Sequence, residues 1–251
     1  MKFDAQKLAN MRVVEANDLF LSKPSGGYEL SKLVDRGYSS TGWAWDADFF
    51  DFDHDGDDDL YVLNGMNDFN VYSRDNPYYQ APSGEGEVSV TFAQSNREKN
   101  VLFANEGGRL QAQENSGLEL LSNSRSAVFF DPDGDGDLDI AVNNYQGPVS
   151  YLRNEVGADA GRWLKIRLRG NPDKGVSRDA IGARLIAKGK SLKPVWREVH
   201  STVGYLSGHP KEQHFGVKNE ATVNLTIIWP NGETQVLAKV ATNQIHSIKQ
   251  P

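Results

Sequence analysis

Two nine-residue segments carry aspartates at a spacing that suits a calcium ion. Residues 51–59 read DFDHDGDDD and residues 131–139 read DPDGDGDLD, so both have Asp at positions 1, 3, 5, 7 and 9 and Gly at position 6. Calcium takes about six to eight oxygen ligands, and alternate residues of a tight turn can bring their carboxylates to one centre when position 6 lacks a side chain. Asp and Gly also form ordinary solvated turns. Because the pattern occurs twice in one register, it favours two calcium sites.

The residues on either side of these segments predict β-hairpins. Aromatic and apolar residues lead into the loops at 43–45 and 127–130, and β-branched and apolar residues lead out of them at 60–63 and 138–142. An EF-hand would need flanking helices and a glutamate at position 12, where both copies have valine. The calcium loops are therefore predicted to connect strands.

A longer repeat surrounds each loop. A glycine precedes the first aspartate at the same spacing in both copies, Gly37 before Asp51 and Gly117 before Asp131. A strand-like segment followed by a Gly-Gly turn occurs at 17–22 and again at 100–105, and an incomplete third copy occurs at 149–154. The predicted order is hairpin, calcium hairpin, hairpin, calcium hairpin and half hairpin.

The first copy carries an insertion that the second copy lacks. It extends roughly over 67–98 and is rich in Asn, Tyr, Pro and Gly. A long loop on a β scaffold is often a recognition element, and a disordered or capping loop is the other interpretation.

The chain has 251 residues, enough for one large or two ordinary domains, and a formal net charge of −7. Residues 1–161 contain 12 Lys and Arg against 28 Asp and Glu, a net −16, whereas residues 162–251 contain 15 against 6, a net +9. This division predicts a domain boundary near residue 161, and the acidic part argues against a nucleic-acid partner. The absence of cysteine excludes disulfides, zinc-thiolate sites and cysteine nucleophiles.

From residue 161 onward, apolar residues alternate with polar ones, as in half-buried strands. The first apolar set is Leu164, Ile166 and Leu168, and the residues predicted to face solvent between and after them are Lys165, Arg167 and Arg169. The second apolar set is Val223, Leu225, Ile227 and Trp229. A turn at 229–232 would let residues 234–237 return along this strand. We therefore predict a small second β domain that is β-sandwich-like or β-barrel-like.

The aspartate segments and their strands resemble the FG-GAP or VCBS repeat, the calcium-loop blade of integrin-like β-propellers. The resemblance implies that the side chains at positions 1, 3, 5 and 9 and the main-chain oxygen at position 7 hold calcium. It implies two Ca²⁺ sites, one formed by Asp51, Asp53, Asp55, Asp57 and Asp59 and the other by Asp131, Asp133, Asp135, Asp137 and Asp139.

Four blocks of the C-terminal segment resemble the ASPIC/UnbV domain. They are RDAIGAR at 178–184, GYLS at 204–207, HFG at 214–216 and WPNG at 229–232. The two resemblances imply an all-β chain with an FG-GAP/VCBS region at 1–160, forming a partial β-propeller of about two blades, and an ASPIC/UnbV domain at 161–251. Closing a propeller takes typically four to eight blades. We therefore expect a C-terminal piece, a truncated chain or an open form whose free sheet edges could pair with another chain.

No catalytic motif accompanies the histidines, which are His54, His200, His209, His214 and His246. None of them lies in a GxSxG or HExxH pattern, so we assign no catalytic residue and no organic cofactor site. Ser207, His209, His214 and Asp179 could meet in the folded C-terminal domain. The other interpretation is that they satisfy hydrogen bonds within a turn.

Basic residues between 162 and 197 allow three interpretations. They could bind an acidic polysaccharide, they could form the wet face of the strands, or the positive C-terminal segment could dock on the negative repeats.

The leading hypothesis is a calcium-binding, non-enzymatic interaction or adhesion module for a protein or glycan partner. By resemblance it would act extracellularly, in the periplasm or at the cell surface, although the N-terminal residues lack the apolar core of a secretion signal. No run of about 18 apolar residues predicts a membrane span. The alternative is an enzyme or a biosynthetic-pathway accessory that uses a pocket in the ASPIC/UnbV domain.

Overall fold

A computed structural model describes residues 17–23, 25–31, 41–65, 99–157 and 160–251. Within these ranges the protein is all-β, as predicted, and its one helical element is a 3-10 turn at Pro172–Lys174. Gly37 and the predicted insertion at 67–98 lie outside the described residues.

The N-terminal strands form three antiparallel sheets. The first is a hairpin of β1 (Phe20–Ser22) and β2 (Tyr28–Leu30). The second has four strands in chain order, which are β3 (Ala44–Phe50), β4 (Asp59–Asn64), β5 (Val101–Asn105) and β6 (Leu110–Ala112). The third has three, which are β7 (Ser124–Phe130), β8 (Asp139–Asn144) and β9 (Ser150–Leu152). The predicted hairpins and the half hairpin are all present.

The two larger sheets repeat one another at matching positions of the chain. Phe50 lies opposite Asp59 where β3 pairs with β4, and Phe130 lies opposite Asp139 where β7 pairs with β8. Each pairing also has an irregularity near the start of its first strand, at the matching position. Such a bulge changes the direction of the strand locally. Because it recurs at the same place, it belongs to the repeat.

The strand registers agree with an insertion in the first copy. Leu60 on β4 pairs with Phe103 on β5, whereas the equivalent Ile140 on β8 pairs with Leu152 on β9. The connection from β4 to β5 is therefore much longer than the connection from β8 to β9. The predicted insertion at 67–98 falls in this same connection.

The two larger sheets pack on each other through one apolar cluster. Its buried members are Phe50, Tyr61, Leu63, Leu102, Ala127, Phe129, Ile140 and Val142. The rings of Phe50 and Phe129 stack across the contact with their centroids 4.3 Å apart. Residues from both repeats thus share one core, which fixes the positions of the two aspartate loops relative to each other.

The C-terminal segment forms two further sheets around its own core. Its strands are β10 (Trp163–Arg169), β11 (Arg184–Lys188), β12 (Val195–Glu198), β13 (Gln213–Gly216), β14 (Thr222–Ile228), β15 (Thr234–Ala241) and β16 (Gln244–Lys249). One sheet has the order β13-β10-β16, with β10 and β16 parallel, and the other has the antiparallel order β12-β11-β14-β15. The buried apolar residues between them all come from 164–240. The predicted apolar face on β14 is confirmed, since Val223, Leu225, Ile227 and Trp229 are buried.

None of the five sheets closes on itself within the described ranges. The partial propeller and the domain division at residue 160 therefore stay predictions. The described part of the chain contains no helix with the length and apolarity that crossing a membrane requires.

Tyr61 tests the core that the two repeats share. Its side chain is buried, and its hydroxyl donates to the Leu118 carbonyl oxygen at 2.7 Å and accepts from the Asn100 side-chain amide at 3.1 Å. The change Tyr61→Phe leaves both groups without this partner, so we expect the free energy of unfolding to fall by about 1–3 kcal/mol in denaturant titration. The change Tyr28→Phe, at a side chain that is 73% exposed, should leave it unaltered. Equal stabilities of the two variants would contradict this account of the core.

Candidate metal centres

The first aspartate loop, residues 51–59, is wound around the carboxylate of Asp51. This buried carboxylate accepts the backbone N–H of Asp55 at 3.2 Å and of Gly56 at 2.9 Å. Gly56 has a φ of 80°, which glycine adopts without steric cost, and His54 has a φ of 61°. The two left-handed residues turn the chain tightly enough to bring backbone N–H groups onto one side chain.

The second loop, residues 131–139, is built in the same way. Asp131 accepts the backbone N–H of Gly134 at 2.7 Å and of Gly136 at 2.9 Å. Both glycines have positive φ values, 80° and 107°. The left-handed residues again stand at positions 4 and 6, so the backbone geometry belongs to the repeat.

The ninth aspartate ties each loop to the third strand of its sheet. Asp59 Oδ1 accepts the backbone N–H of Asn105 at 2.8 Å, at the end of β5. Asp139 Oδ1 accepts the backbone N–H of Asn154 at 2.8 Å, just beyond β9, and the hydroxyl of Tyr151 also donates to Asp139. The same hydrogen bond therefore joins loop and sheet in both repeats.

Three carboxylates converge in each loop, with one oxygen of each lying within 4.8 Å of the others. They are Asp51, Asp53 and Asp59 in the first loop and Asp131, Asp133 and Asp135 in the second. Carboxylate oxygens are the ligands that calcium prefers, at about 2.3–2.6 Å from the ion, so two ligands of one ion lie at most about 5 Å apart. The donor set of each loop fits a hard divalent cation.

Asp55, Asp57, Asp137 and Asp139 lie in the loops but outside these triplets, and the aspartate at position 5 makes the same backbone contact in both loops. The carboxylate of Asp55 accepts the backbone N–H of Asp57 at 2.8 Å, and that of Asp135 accepts the backbone N–H of Asp137 at 3.1 Å. The side chain of Asp137 accepts the N–H of Gly157 at 3.0 Å, which is compatible with a role for its main-chain oxygen.

The C-terminal sheets lie directly against the first loop. The guanidinium of Arg197, on β12, forms two hydrogen bonds with the carboxylate of Asp58, at 2.7 and 2.9 Å. The backbone of β13 passes so close that a Cβ on Gly216 would collide with the Asp51 carboxylate and come within 2.5 Å of the His54 Cα. Position 216 therefore accepts only glycine in this arrangement.

The same sheets also lie against the second loop. The ammonium of Lys165, on β10, forms an ion pair with Asp131. The indole of Trp163 covers Gly136 so closely that a Cβ there would collide with it, and His214 Nε2 lies 3.0 Å from the Gly136 carbonyl oxygen. Backbone, aromatic and charged contacts thus join the second loop to β10 and β13.

The prediction that Lys165 faces solvent is wrong. The alternation along β10 predicts it at the surface, but its exposed fraction is 1%. The second loop covers this face of the strand, so the ammonium meets a carboxylate there. Of the three interpretations of the basic residues, intramolecular docking is what the structure shows for Lys165 and Arg197.

Comparison with known proteins identifies the C-terminal part of the chain. Residues 173–251 match the family model described as ASPIC and UnbV. The C-terminal segment carries an ASPIC/UnbV domain. The chain is also similar to Cartilage acidic protein 1 of Mus musculus and of Homo sapiens, with 26% identity over 166 residues in each case and 64% of this chain covered. It spans about a quarter of the length of these relatives, 25% and 24% respectively. The resemblance to ASPIC/UnbV proteins is confirmed.

Two of the four ASPIC/UnbV blocks contact the repeats. In the GYLS block, the backbone N–H of Tyr205 donates to Asp46 at 3.1 Å and the Ser207 hydroxyl donates to the Ala127 carbonyl oxygen at 3.3 Å. The HFG block contributes His214 and Gly216, which lie against the aspartate loops. These blocks therefore act in contacts between the two parts of the chain.

The four residues that could have formed a catalytic cluster are Ser207, His209, His214 and Asp179. Among the described residues, no hydrogen bond joins any two of them. The Nδ1 of His209 accepts the N–H of Phe129 at 3.4 Å, and Asp179 pairs with its exposed neighbour Arg178 at 3.3 Å. Three of the four bind the N-terminal repeats instead, as hydrogen-bonding partners across the contact.

His54 and His214 meet between the two loops, a contact that the sequence analysis did not indicate. Their ring centroids are 5.2 Å apart, and His54 Nε2 lies 3.6 Å from Asp137 Oδ1. Burial lowers the pKa of both imidazoles, so both are neutral at pH 7. The one signal in the sequence is that position 4 is histidine in the first loop and Gly134 in the second.

Burial also changes the ionisation of the first loop. It raises the pKa of Asp51 to about 7, against the opposing effect of Arg197, and it raises the pKa of Asp59 to about 8. Desolvation disfavours a charged carboxylate that has no cation beside it. A bound divalent ion would remove this penalty.

Without calcium, we expect the chain to lose stability as the pH rises from about 6.5 to 8. The folded-state pKa values of Asp51 and Asp59 exceed the unfolded value of about 3.9, so their stabilising protons are lost as the pH passes through the folded values. His54 and His214 act below this window, and Lys165, whose pKa burial lowers to about 8, acts above it. In a chelator the thermal midpoint should fall by roughly 5 °C, and saturating calcium should abolish the decline. A flat profile in the chelator would contradict this assignment.

Gly216 tests the close approach of the ASPIC/UnbV domain to the first loop. We expect Gly216→Ala to lower the free energy of unfolding by about 1–3 kcal/mol, because an added methyl forces the backbone of β13 away from the loop. The matched control is Gly147→Ala, at a residue without a positive φ whose Cβ would meet only the Asn144 Cβ, at 3.4 Å. Thermal unfolding of both variants measures the difference, and similar midpoints would show that the domain does not press on the loop.

Proposed function

We propose that this chain is a calcium-binding, non-enzymatic interaction module of the FG-GAP/VCBS type. The observation that carries the proposal is the convergence of three carboxylates in each loop, on backbone hydrogen bonds that recur at matching positions of the two repeats. One ion would be held by Asp51, Asp53, Asp55 and Asp59 with the main-chain oxygen of Asp57. The second ion would be held by Asp131, Asp133, Asp135 and Asp139 with the main-chain oxygen of Asp137.

Calcium would act mainly on stability. Each nine-residue loop contains five or six aspartates, and like charges at a few ångströms repel each other strongly in a partly buried site. A divalent ion supplies the missing positive charge. Because Gly216 and Trp163 rest directly on the loops, an ordered loop also supports the ASPIC/UnbV domain.

The two larger sheets are proposed to be blades of a partial β-propeller. A propeller blade is a four-stranded antiparallel sheet that packs face to face on its neighbours. The sheet from β3 to β6 has four strands, the sheet from β7 to β9 has three, and they share one apolar cluster. The edge strand β9 could accept a strand from another chain, which is the route we propose for self-association.

We propose that the module works outside the cytoplasm with a protein or glycan partner. The similarity to Cartilage acidic protein 1 supports an extracellular location. Extracellular calcium modules bind at about 0.1–1 mM, the range in which such loops would be filled there. Exposed apolar side chains on and beside β9, Tyr151 at 52% and Val149 at 64%, offer a contact surface for the partner.

A second candidate function is an enzyme or a biosynthetic-pathway accessory. The observation in its favour is a cleft of about 300 Å³ between the ASPIC/UnbV domain and the repeats, whose lining includes His200, His209 and His214. Two of these histidines already bond to backbone groups of the repeats, His209 to Phe129 and His214 to Gly136. We therefore place this function second.

Isothermal titration calorimetry on the full chain tests the two calcium sites. Asp53→Asn and Asp133→Asn each remove one ligand charge at position 3, and neither residue contacts the ASPIC/UnbV domain among the described interactions. We expect two sites with dissociation constants of about 0.1–1 mM in the unsubstituted chain and one site in each variant. The matched control is Asp179→Asn, an exposed aspartate outside both loops, which should keep two sites.

The proposal fails if the folded chain shows neither heat of calcium binding nor a calcium-dependent rise in its unfolding temperature. It also fails if each single variant still binds two ions, because the loops would then not be the sites.

A further inference from the structure

The two loops have the same spacing of predicted ligands, but different groups neutralise their carboxylates. In the first loop, the described contacts of the three convergent carboxylates are all with backbone N–H groups. These contacts are Asp51 with Asp55 and Gly56, Asp53 with Asp55, and Asp59 with Phe52 and Asn105. Such donors hold the carboxylates in place without occupying the cation's position with a full positive charge.

In the second loop, each of the three convergent carboxylates has a cation of the chain beside it. The ammonium of Lys165 pairs with Asp131, and the guanidinium of Arg153 lies 3.0 Å from Asp133 and 3.9 Å from Asp135. Lys165 and Arg153 thus stand where a metal ion would otherwise supply the charge.

The cation that forms an ion pair with the first loop is placed differently, and Lys218 acts on Asp55 only from beyond ion-pairing distance. Arg197 bonds to Asp58 at position 8, which is not a predicted ligand, whereas position 8 of the second loop is Leu138. With these partners counted, the first loop has six aspartates and one arginine, a formal −5. The second has five aspartates, one lysine and one arginine, a formal −3. The second loop therefore attracts a further cation less strongly.

We propose that Lys165 and Arg153 are built-in counter-ions of the second loop, which calcium must displace, so that the first loop fills at a lower calcium concentration than the second. This inference rests on the proposed calcium function. An ammonium and a divalent ion on the same carboxylate repel each other, and the ammonium has to leave its buried position first. The first loop imposes no such exchange.

Displacement of Lys165 by calcium would change the contact between the second loop and β10. Lys165 lies on β10, opposite His214 on β13, so its release alters the strand that also carries the Trp163 indole. The Lys165 ammonium lies 4.8 Å from the centre of this indole, which also covers Gly136. Filling of the second loop should therefore change the fluorescence of Trp163, and filling of the first loop should not.

Proteins in which only one loop keeps its full ligand set, called single-loop proteins, allow the calcium affinity of each loop to be measured separately. In the full chain, Asp53→Asn leaves the second loop and Asp133→Asn leaves the first, and calorimetry with CaCl₂ measures each one. We expect the second loop to bind about tenfold more weakly. Adding Lys165→Met to the Asp53→Asn protein should raise its calcium affinity about tenfold, since one neighbouring charge shifts such equilibria by about one logarithmic unit. Arg153→Met should raise it by a smaller factor, because that side chain is 55% exposed and screened by solvent.

Two controls sharpen the comparison. Arg197→Met in the Asp133→Asn protein should change the first loop's affinity less than Lys165→Met changes the second, because Arg197 contacts no ligand carboxylate. Arg153→Met covers the case in which Lys165→Met fails to fold. Trp163→Phe in the Asp53→Asn protein should remove the fluorescence change that calcium causes.

The proposal stands only if the second loop is the weaker site and at least one of the two counter-ion variants strengthens it. Equal affinities of the two single-loop proteins overturn it, and so does an unchanged affinity in both variants, while two calcium sites remain. If neither single-loop protein binds calcium, the proposed function fails instead.

Discussion

Repulsion among aspartates is the constraint on which this structure depends. Eleven aspartates stand in two nine-residue loops, and several of their carboxylates are buried. A carboxylate stays charged away from water only if hydrogen-bond donors or cations surround it. The loops meet this requirement first from within, because the left-handed residues at positions 4 and 6 turn the backbone N–H groups onto the first aspartate. The third strand then supplies one more donor to the ninth aspartate. The fold of each repeat provides both kinds of donor.

The C-terminal segment from residue 161 onward supplies further groups to both loops. It brings Arg197 to the first loop and Lys165 to the second, and it covers both with backbone or aromatic groups that approach within contact distance. Such an approach requires glycine on one side of each contact, Gly216 against the first loop and Gly136 in the second. Two of the positive charges in residues 162–251, Lys165 and Arg197, pair with aspartates of the acidic N-terminal part.

The sequence predicts the parts of this arrangement that depend on local patterns. The aspartate spacing indicates both loops, the hairpin signals indicate every described strand of the repeats, and the alternation from Val223 to Trp229 indicates a buried face. It could not predict the burial of Lys165, because alternation shows only which side of a strand faces its own sheet's core. Whether the other side meets water depends on a separate part of the chain. The sequence assigns the same ligand positions to both loops, so it could not predict that position 9 joins the triplet in one loop (Asp59) and position 5 in the other (Asp135), which depends on side-chain conformations.

The two loops differ because one domain sits on two copies of a repeat. Identical loops would need identical surroundings to stay equivalent. A single C-terminal segment cannot provide them, because it meets the first loop with β12 and β13 and the second with β10 and β13. Two of the three sequence differences between the loops fall where these contacts differ: position 4 is His54 or Gly134, and position 8 is Asp58 or Leu138. In the first loop, Asp58 at position 8 pairs with Arg197. In the second loop, position 8 is Leu138, and Lys165 pairs with Asp131 at position 1 instead. The shared residues preserve the loop geometry, and the residues at positions 4 and 8 fit each loop to its own part of the C-terminal segment.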